Sequence, residues 1–214
     1  KDINQRDTIF TKLNVFESFK PKIPKRFVES KYVFLANIDP DIQNEVLNQV
    51  KNPDFVVMDT MNYWITEKRD SLINVLKNVN GLILNDSEVR ELSGEYNLVK
   101  AAKLVNKMGP EIIIVKKGEH GAFLYADDNF FFVPAFPLDE VIDPTGAGDS
   151  FAGGFMGYIA SSGRLYVSDY KKGLVFGTIA ASYCCERFGI ERFKNLLKNE
   201  LDERTEKFLN MIKL

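Results

Sequence analysis

Four short apolar runs, KYVFLAN (31–37), DFVVMD (54–59), GLIL (81–84) and EIIIVK (111–116), are separated by stretches with helical spacing. This alternation is the strongest constraint on the fold. Runs of four to seven apolar residues suit strands buried on both faces, and the stretches between them are long enough to return the chain on a helix. Ile42, Val46, Leu47 and Val50 form one such stripe, and Leu72, Ile73, Leu76 and Val79 another, with Thr66 expected to cap it. A short helix is expected from Ser87. A longer one over Asn97–Met108 carries Leu98, Ala101, Ala102, Val105 and Met108, and Gly109 and Pro110 stop it.

The pattern then changes. Gly121–Tyr125 and Asn129–Val133 flank Ala126, Asp127 and Asp128, which reads as a hairpin. Beyond residue 143 the chain reads as helical to its end. Ala147–Ser162 and Lys171–Arg187 are apolar nearly all round and are expected to be buried. The last stretch is amphipathic through Phe193, Leu196, Leu197, Leu201, Phe208, Leu209 and Ile212. The expected fold class is α/β: a three-layer α-β-α sandwich on a mostly parallel central sheet, with a hairpin before residue 143 and a helical C-terminus. Asp7–Asn14 alternates weakly, as a strand would, and Lys20–Lys25 is loop-like.

Lys plus Arg number 28 against 30 Asp plus Glu, a balance that does not favour a nucleic-acid-binding or membrane-docking face. No apolar run approaches the ~20 residues that span a bilayer, and no secretory signal is evident. The only cysteines, Cys184 and Cys185, are adjacent in an apolar stretch and read as reduced core residues. A cytoplasmic location is the expectation. The chain opens on Lys1 rather than Met, as a trimmed piece would.

The segment DPTGAGDSFAGGF (143–155) carries the chemistry. A helix N-terminus offers unpaired N–H groups and partial positive charge. Gly146, Ala147 and Gly148 at such a terminus let an anion approach the backbone, and Asp149 falls in the first turn as a candidate base. Ala152, Gly153 and Gly154 are expected to let the helix pack closely on the sheet. A P-loop requires Lys-Ser or Lys-Thr after its second glycine, which is absent. A dinucleotide fingerprint requires a small residue where Phe151 stands, and a place in the first βα unit, so nicotinamide binding is disfavoured.

This segment resembles the second signature of the ribokinase-like (PfkB-type) carbohydrate kinases. Other segments agree in order: Asn85-Asp86-Ser87-Glu88 is similar to the family's Asn-x-x-Glu motif, Lys117-Gly118-Glu119-His120-Gly121-Ala122 to its nucleotide-side turn, and Ala180-Ala181-Ser182 with Gly189 to the helix and loop beside the adenine. The resemblance covers residue 30 to the end. It implies transfer of the γ-phosphoryl group of ATP, with Mg²⁺, to a hydroxyl of a small-molecule sugar or nucleoside. Asp149 maps onto the base and Gly146, Ala147 and Gly148 onto the anion hole. Lys117, Gly118, Gly121, Thr145, Ala181 and Gly189 map onto the nucleotide side. Asn85 and Glu88, with Asp143, map onto the metal and phosphate side, and Asp143 and Thr145 are candidates near a monovalent cation (K⁺). A homodimer through lid strands is a further family expectation.

The family's first glycine-rich signature, its first βαβ unit and most of the lid and sugar pocket have no counterpart. The first third of a family member is therefore expected to be missing, with residues 1–19 a lid and substrate-side remnant and 20–214 the nucleotide-binding and catalytic core. A non-catalytic sugar- or nucleotide-binding homologue is the competing reading. Simpler roles stand beside each assignment. Asn85 and Glu88 also suit a strand-end cap and a surface helix position. Lys116 and Lys117 follow a strand, where they could steer phosphate or simply suit a solvated sheet rim, and His120 suits an exposed turn with no zinc set. Asp59–Asn62 suits a turn at a strand end where α/β folds gather ligands. Tyr63 and Trp64 suit packing.

Overall fold

The computed structural model describes residues 11–213. Six strands form one sheet in sequence order: β1 (Tyr32–Leu35), β2 (Phe55–Asp59), β3 (Gly81–Asn85), β4 (Ile112–Lys116), β5 (Ala122–Ala126) and β6 (Asn129–Val133). The first three pair in parallel, with Val33 opposite Val56 and Met58 opposite Leu82. The described residues group into two compact units, one of 11–115 with 125–129, the other of 116–124 with 130–213.

In the first unit, α1 (Pro40–Leu47), α2 (Asn62–Glu67), α3 (Arg69–Leu76), α4 (Asp86–Ser93) and α5 (Leu98–Asn106) follow the parallel strands. Three of these five starts, those of α1, α4 and α5, are capped by a side chain. Asp39 accepts a hydrogen bond from the Asp41 N–H at 2.9 Å and Pro40 pre-sets the first turn of α1. Asn97 accepts from the N–H groups of Val99 and Lys100 at the head of α5. Leu82, Ile83, Leu84, Val89, Leu92, Ala102 and Val105 are fully buried. Each large apolar side chain among them contributes about 1.5–3 kcal/mol by leaving water. Thr66 does not cap the second stripe. It lies inside α2, where its hydroxyl bonds the Asn62 carbonyl and Glu91, and α3 starts after Lys68 with no side-chain cap. A short separate helix, α2, thus lies between β2 and the helix that carries the second stripe. The hairpin turn is Asp127–Asp128 alone, both with positive φ, as a two-residue turn matched to strand twist requires. Of the strand expected at Asp7–Asn14, residues 7–10 lie outside the described residues, 11–13 form no strand, and Asn14–Ser18 is a 3-10 turn.

The second unit holds α6 (Ala147–Ser162), α7 (Val167–Cys184) and α8 (Lys198–Ile212). α6 has the expected bounds but is not buried all round. Phe151, Ala152, Phe155, Met156 and Ile159 are buried, whereas Asp149, Gly153, Gly157 and Ala160 face solvent. Glycine and alanine hide this two-faced character because they carry little hydropathy of either sign. α7 starts four residues earlier than expected, since Tyr170 and Asp169 are buried in its first turns. Among the described residues no helix is long and apolar enough to cross a membrane.

Candidate functional site

The loop before α6 is built by its own backbone. Asp143 Oδ1 accepts from the Thr145 N–H at 2.9 Å, and the Pro144 carbonyl from the Ala147 N–H at 3.1 Å. Gly146 sits in the left-handed region (φ 84°), which no L side chain favours. The chain then enters α6 with no side chain capping its N-terminus. The first-turn N–H groups beyond Ala147 therefore point outward from a terminus carrying about half a positive charge. Asp149 is in that first turn and its carboxylate is exposed.

The end of α7 holds this loop. The Cys184 thiol donates to the Thr145 carbonyl at 3.4 Å, and the Cys185 carbonyl accepts from the N–H groups of Ile142 (2.9 Å) and Asp143 (3.4 Å). Burial pushes the Cys185 thiol up from its ordinary value, with Cys184 and Asp143 adding to the shift, so it stays protonated. α6 and α7 approach through glycines. A Cβ on Gly154 would stand 2.7 Å from the Phe176 carbonyl oxygen, and one on Gly177 2.8 Å from that of Phe151. Gly154 thus seats α6 against α7 rather than on the sheet, and Gly153 faces open space.

α7 is in turn clamped to α8. Arg204 stacks on the Tyr183 ring at 3.5 Å from its centroid and donates to Ser182 Oγ at 3.0 Å. Arg204 and Arg192 both bind Glu186, and Arg192 also binds Glu200. The Tyr183 hydroxyl donates to the Glu200 carbonyl at 2.7 Å, and burial pushes its pKa up. These residues were not visible as a cluster in the sequence, because the partners lie 6 to 22 residues apart on α7, on α8 and on the segment between them.

The expected nucleotide-side turn forms at Lys117–Gly121. The Lys117 N–H bonds the Gly121 carbonyl at 2.7 Å, and Gly121 (φ 85°) has Val133 carbonyl oxygen where a Cβ would be, so glycine is required by the close approach. Lys117 is half-buried and Gly118 exposed. Ala181 is half-buried on α7, and Gly189 is exposed with open space around it. His120 is exposed in this turn. Lys116, the last residue of β4, is the neighbour that sequence reasoning left at the rim. Its Nζ lies 3.0 Å from the Cβ position of Gly148. The available signal was its place at the end of a strand of the sheet.

In the other unit, Asn85 and Glu88 form a reciprocal capping box at the head of α4. Asn85 Oδ1 accepts from the Glu88 N–H at 2.8 Å, and Glu88 Oε2 from the Asn85 N–H at 2.7 Å. Glu88 is not the surface residue of the simpler reading, being 7% exposed. Near the ends of β1 and β2, the buried Gln43 donates to the carbonyls of Leu35, Ala36 and Asp59. Trp64 is buried and donates to Asn37 Oδ1 at 3.0 Å, which is the packing role.

An uncapped terminus lined by glycine, a lysine ammonium and an exposed carboxylate suits a phosphate ester and a proton acceptor. The profile of the pfkB family carbohydrate kinases matches residues 16–193. The chain is 28% identical over 180 residues to the cytidine kinase of Thermococcus kodakarensis, covering 82% of this chain and 58% of that protein. It is 27% identical over 194 residues to a nucleoside kinase of Methanocaldococcus jannaschii, covering 89% and 60%. The chain thus spans less than two thirds of the length of these curated relatives. A putative ribokinase II from E. coli, solved in complex with ATP and Mg²⁺, has the same fold at a TM-score of 0.67 and 21% identity, over 83% of this chain and 59% of that one. With the family profile matched over most of its length, the chain belongs to the pfkB family of carbohydrate kinases.

Proposed function

We propose that the chain is the phosphoryl-transfer core of an ATP-dependent phosphotransferase acting on a hydroxyl of a sugar or nucleoside. One observation carries this reading: α6 starts uncapped, behind a left-handed Gly146, with Asp149 exposed in its first turn. The named kinase relatives support it, and the first two act on nucleosides by name.

In this reading Asp149 accepts the proton of the acceptor hydroxyl, and the N–H groups around Gly146, Ala147 and Gly148 hold the negative charge that moves through the transferring group. The turn of Lys117, Gly118 and Gly121 borders the nucleotide, with Thr145, Ala181 and Gly189. Glu88 supplies carboxylate charge for Mg²⁺ and Asn85 positions that carboxylate through the capping box. An oxygen donor set of this kind fits a cation that keeps several of its waters. Mg²⁺, when bound, neutralises phosphate charge. Asp143 and Thr145 are the candidates for a monovalent cation. Residues 1–19 are assigned to the substrate side and 20–214 to the catalytic core.

The test is ADP release by the full chain across nucleosides and sugars, for wild type and Asp149→Asn. Loss of a general base costs about 10²–10⁴ in turnover. Far-UV circular dichroism should be unchanged. Asp149→Asn turnover within about threefold of wild type would refute the base assignment. ATP binding without turnover on any acceptor would favour the non-catalytic homologue.

A further inference from the structure

Resting on the phosphoryl-transfer reading, we infer that Cys184 is a positioning residue, whose thiol holds the turn through Thr145 and Gly146 in the orientation that turnover requires. Cys184 is the last residue of α7 and is buried. Its thiol donates to the Thr145 carbonyl at 3.4 Å, and its Sγ lies 3.6 Å from where a Gly146 Cβ would stand. One sulfur thus bonds the residue before the left-handed glycine and packs in ordinary contact against the glycine itself. The bonds within the turn, from the Thr145 N–H to Asp143 and from the Ala147 N–H to the Pro144 carbonyl, join residues two or three apart and travel with it. The Cys184 bond instead ties the turn to a helix 39 positions along the chain, so it resists a shift of the turn as a whole.

A glycine turn has particular need of such an anchor. Gly146 has no side chain to restrict its dihedrals, and α6 starts with no side-chain cap. Backbone N–H groups stabilise developing charge only if they already point at it, and a displacement of about 1 Å can cost a hundredfold in rate. The Cys185 carbonyl accepts from Ile142 and Asp143 and fixes the entry to the same turn. The end of α7 therefore grips the turn at two points, one by backbone and one by the Cys184 side chain. Cys184 acts through Thr145 and Gly146 rather than on the substrate. Its sulfur supplies a weak donor and bulk together, and substitution separates the two. Serine keeps a donor in a smaller group. Valine keeps the bulk and has no donor.

The experiment measures ADP release with nucleosides and sugars as acceptors, and hydrogen exchange of the Ala147 amide by NMR, for wild type, Cys184→Ser, Cys184→Val and Cys184→Ala in the full chain. Thermal unfolding checks folding, and if the valine variant does not fold, alanine against serine carries the comparison. Cys184→Val and Cys184→Ala are expected to lower kcat about tenfold or more, with KM for Mg·ATP within about threefold of wild type. Cys184→Ser should keep kcat within about threefold of wild type, because its hydroxyl still donates to the Thr145 carbonyl. The Ala147 amide should exchange about tenfold faster in the valine and alanine variants and at the wild-type rate in serine. Wild-type kcat in Cys184→Val and Cys184→Ala overturns the inference, even if Tm falls. So does a serine variant as impaired as alanine, or a rise in KM with kcat unchanged. If wild type is active and the valine and alanine variants match it in kcat and exchange, the phosphotransferase reading stands and the Cys184 role falls. If wild type turns over no acceptor while exchange quickens in valine and alanine alone, the hold on the turn stands and the phosphotransferase reading falls.

Discussion

Replacing Gly154 by alanine introduces a Cβ 2.7 Å from the Phe176 carbonyl oxygen, 2.8 Å from Ala180 Cβ and 3.0 Å from Gly177 Cα. Two of these neighbours are backbone atoms of α7 and none is the far end of a flexible side chain. Ordinary contact begins near 3.4 Å, so the two helices must part locally by about 0.7 Å. A gap of that size forfeits a quarter to a half of the dispersion energy of each contact along the seam. Overpacking of this kind costs about 1–3 kcal/mol. The alanine returns up to about 1 kcal/mol of helix propensity, so with the full return the net loss is about 0–2 kcal/mol. For a chain of this size each kcal/mol moves Tm by about 2–4 °C. Gly157, one turn further along the same helix, is exposed and has no atom within 4 Å of its Cβ position. Gly157→Ala should therefore stabilise by about 0.5–1 kcal/mol. Thermal unfolding by circular dichroism compares the two directly. Opposite signs are expected, and Gly154→Ala should also lower turnover, because α6 carries the Gly146–Asp149 loop at its head. Equal shifts for the two substitutions would refute the seam argument.

Glu88→Gln keeps the geometry of a capping box, which accepts Glu or Gln at this position, but removes the charge. It should cost no more than about 1 kcal/mol of stability, from the lost helix-dipole interaction, while raising the Mg²⁺ concentration needed for half-maximal turnover about tenfold. An unchanged Mg²⁺ requirement, read from a Mg²⁺ titration of ADP release, would leave the residue as a cap only. Glu200 is held below the usual carboxylate range, first by the Leu197 N–H and then by Arg192. A depressed folded-state value contributes stability above the unfolded pKa that is lost as pH falls through the folded one. The Tm advantage of wild type over Glu200→Gln should thus be full at pH 7 and shrink below pH ~4. A constant difference across that range would exclude the linkage.

The alternation of apolar runs with helical stripes was enough for the parallel strands, because burial on both faces demands uninterrupted apolar residues and that demand is local. The loop at 143–149 was legible for the same reason: the left-handed Gly146 and the open helix start depend on residues adjacent in the chain. The reciprocal bonds between Asn85 and Glu88 need only three residues of spacing, so a strand-end cap could be foreseen. What the spacing left open was how deeply Glu88 is buried, since that depends on what packs over it. The exposed face of α6 was hidden for want of hydropathy contrast in glycine and alanine. Only the tertiary structure sets Gly154 against the Phe176 carbonyl, Cys184 under Thr145, Arg204 on Tyr183 and the Lys116 ammonium beside Gly148. Each joins residues 21 to 39 positions apart, and no periodicity in the sequence encodes such a distance. Local chemistry determined where an anion meets the backbone. Long-range packing decided which side chains hold that backbone in place and which cation stands over it.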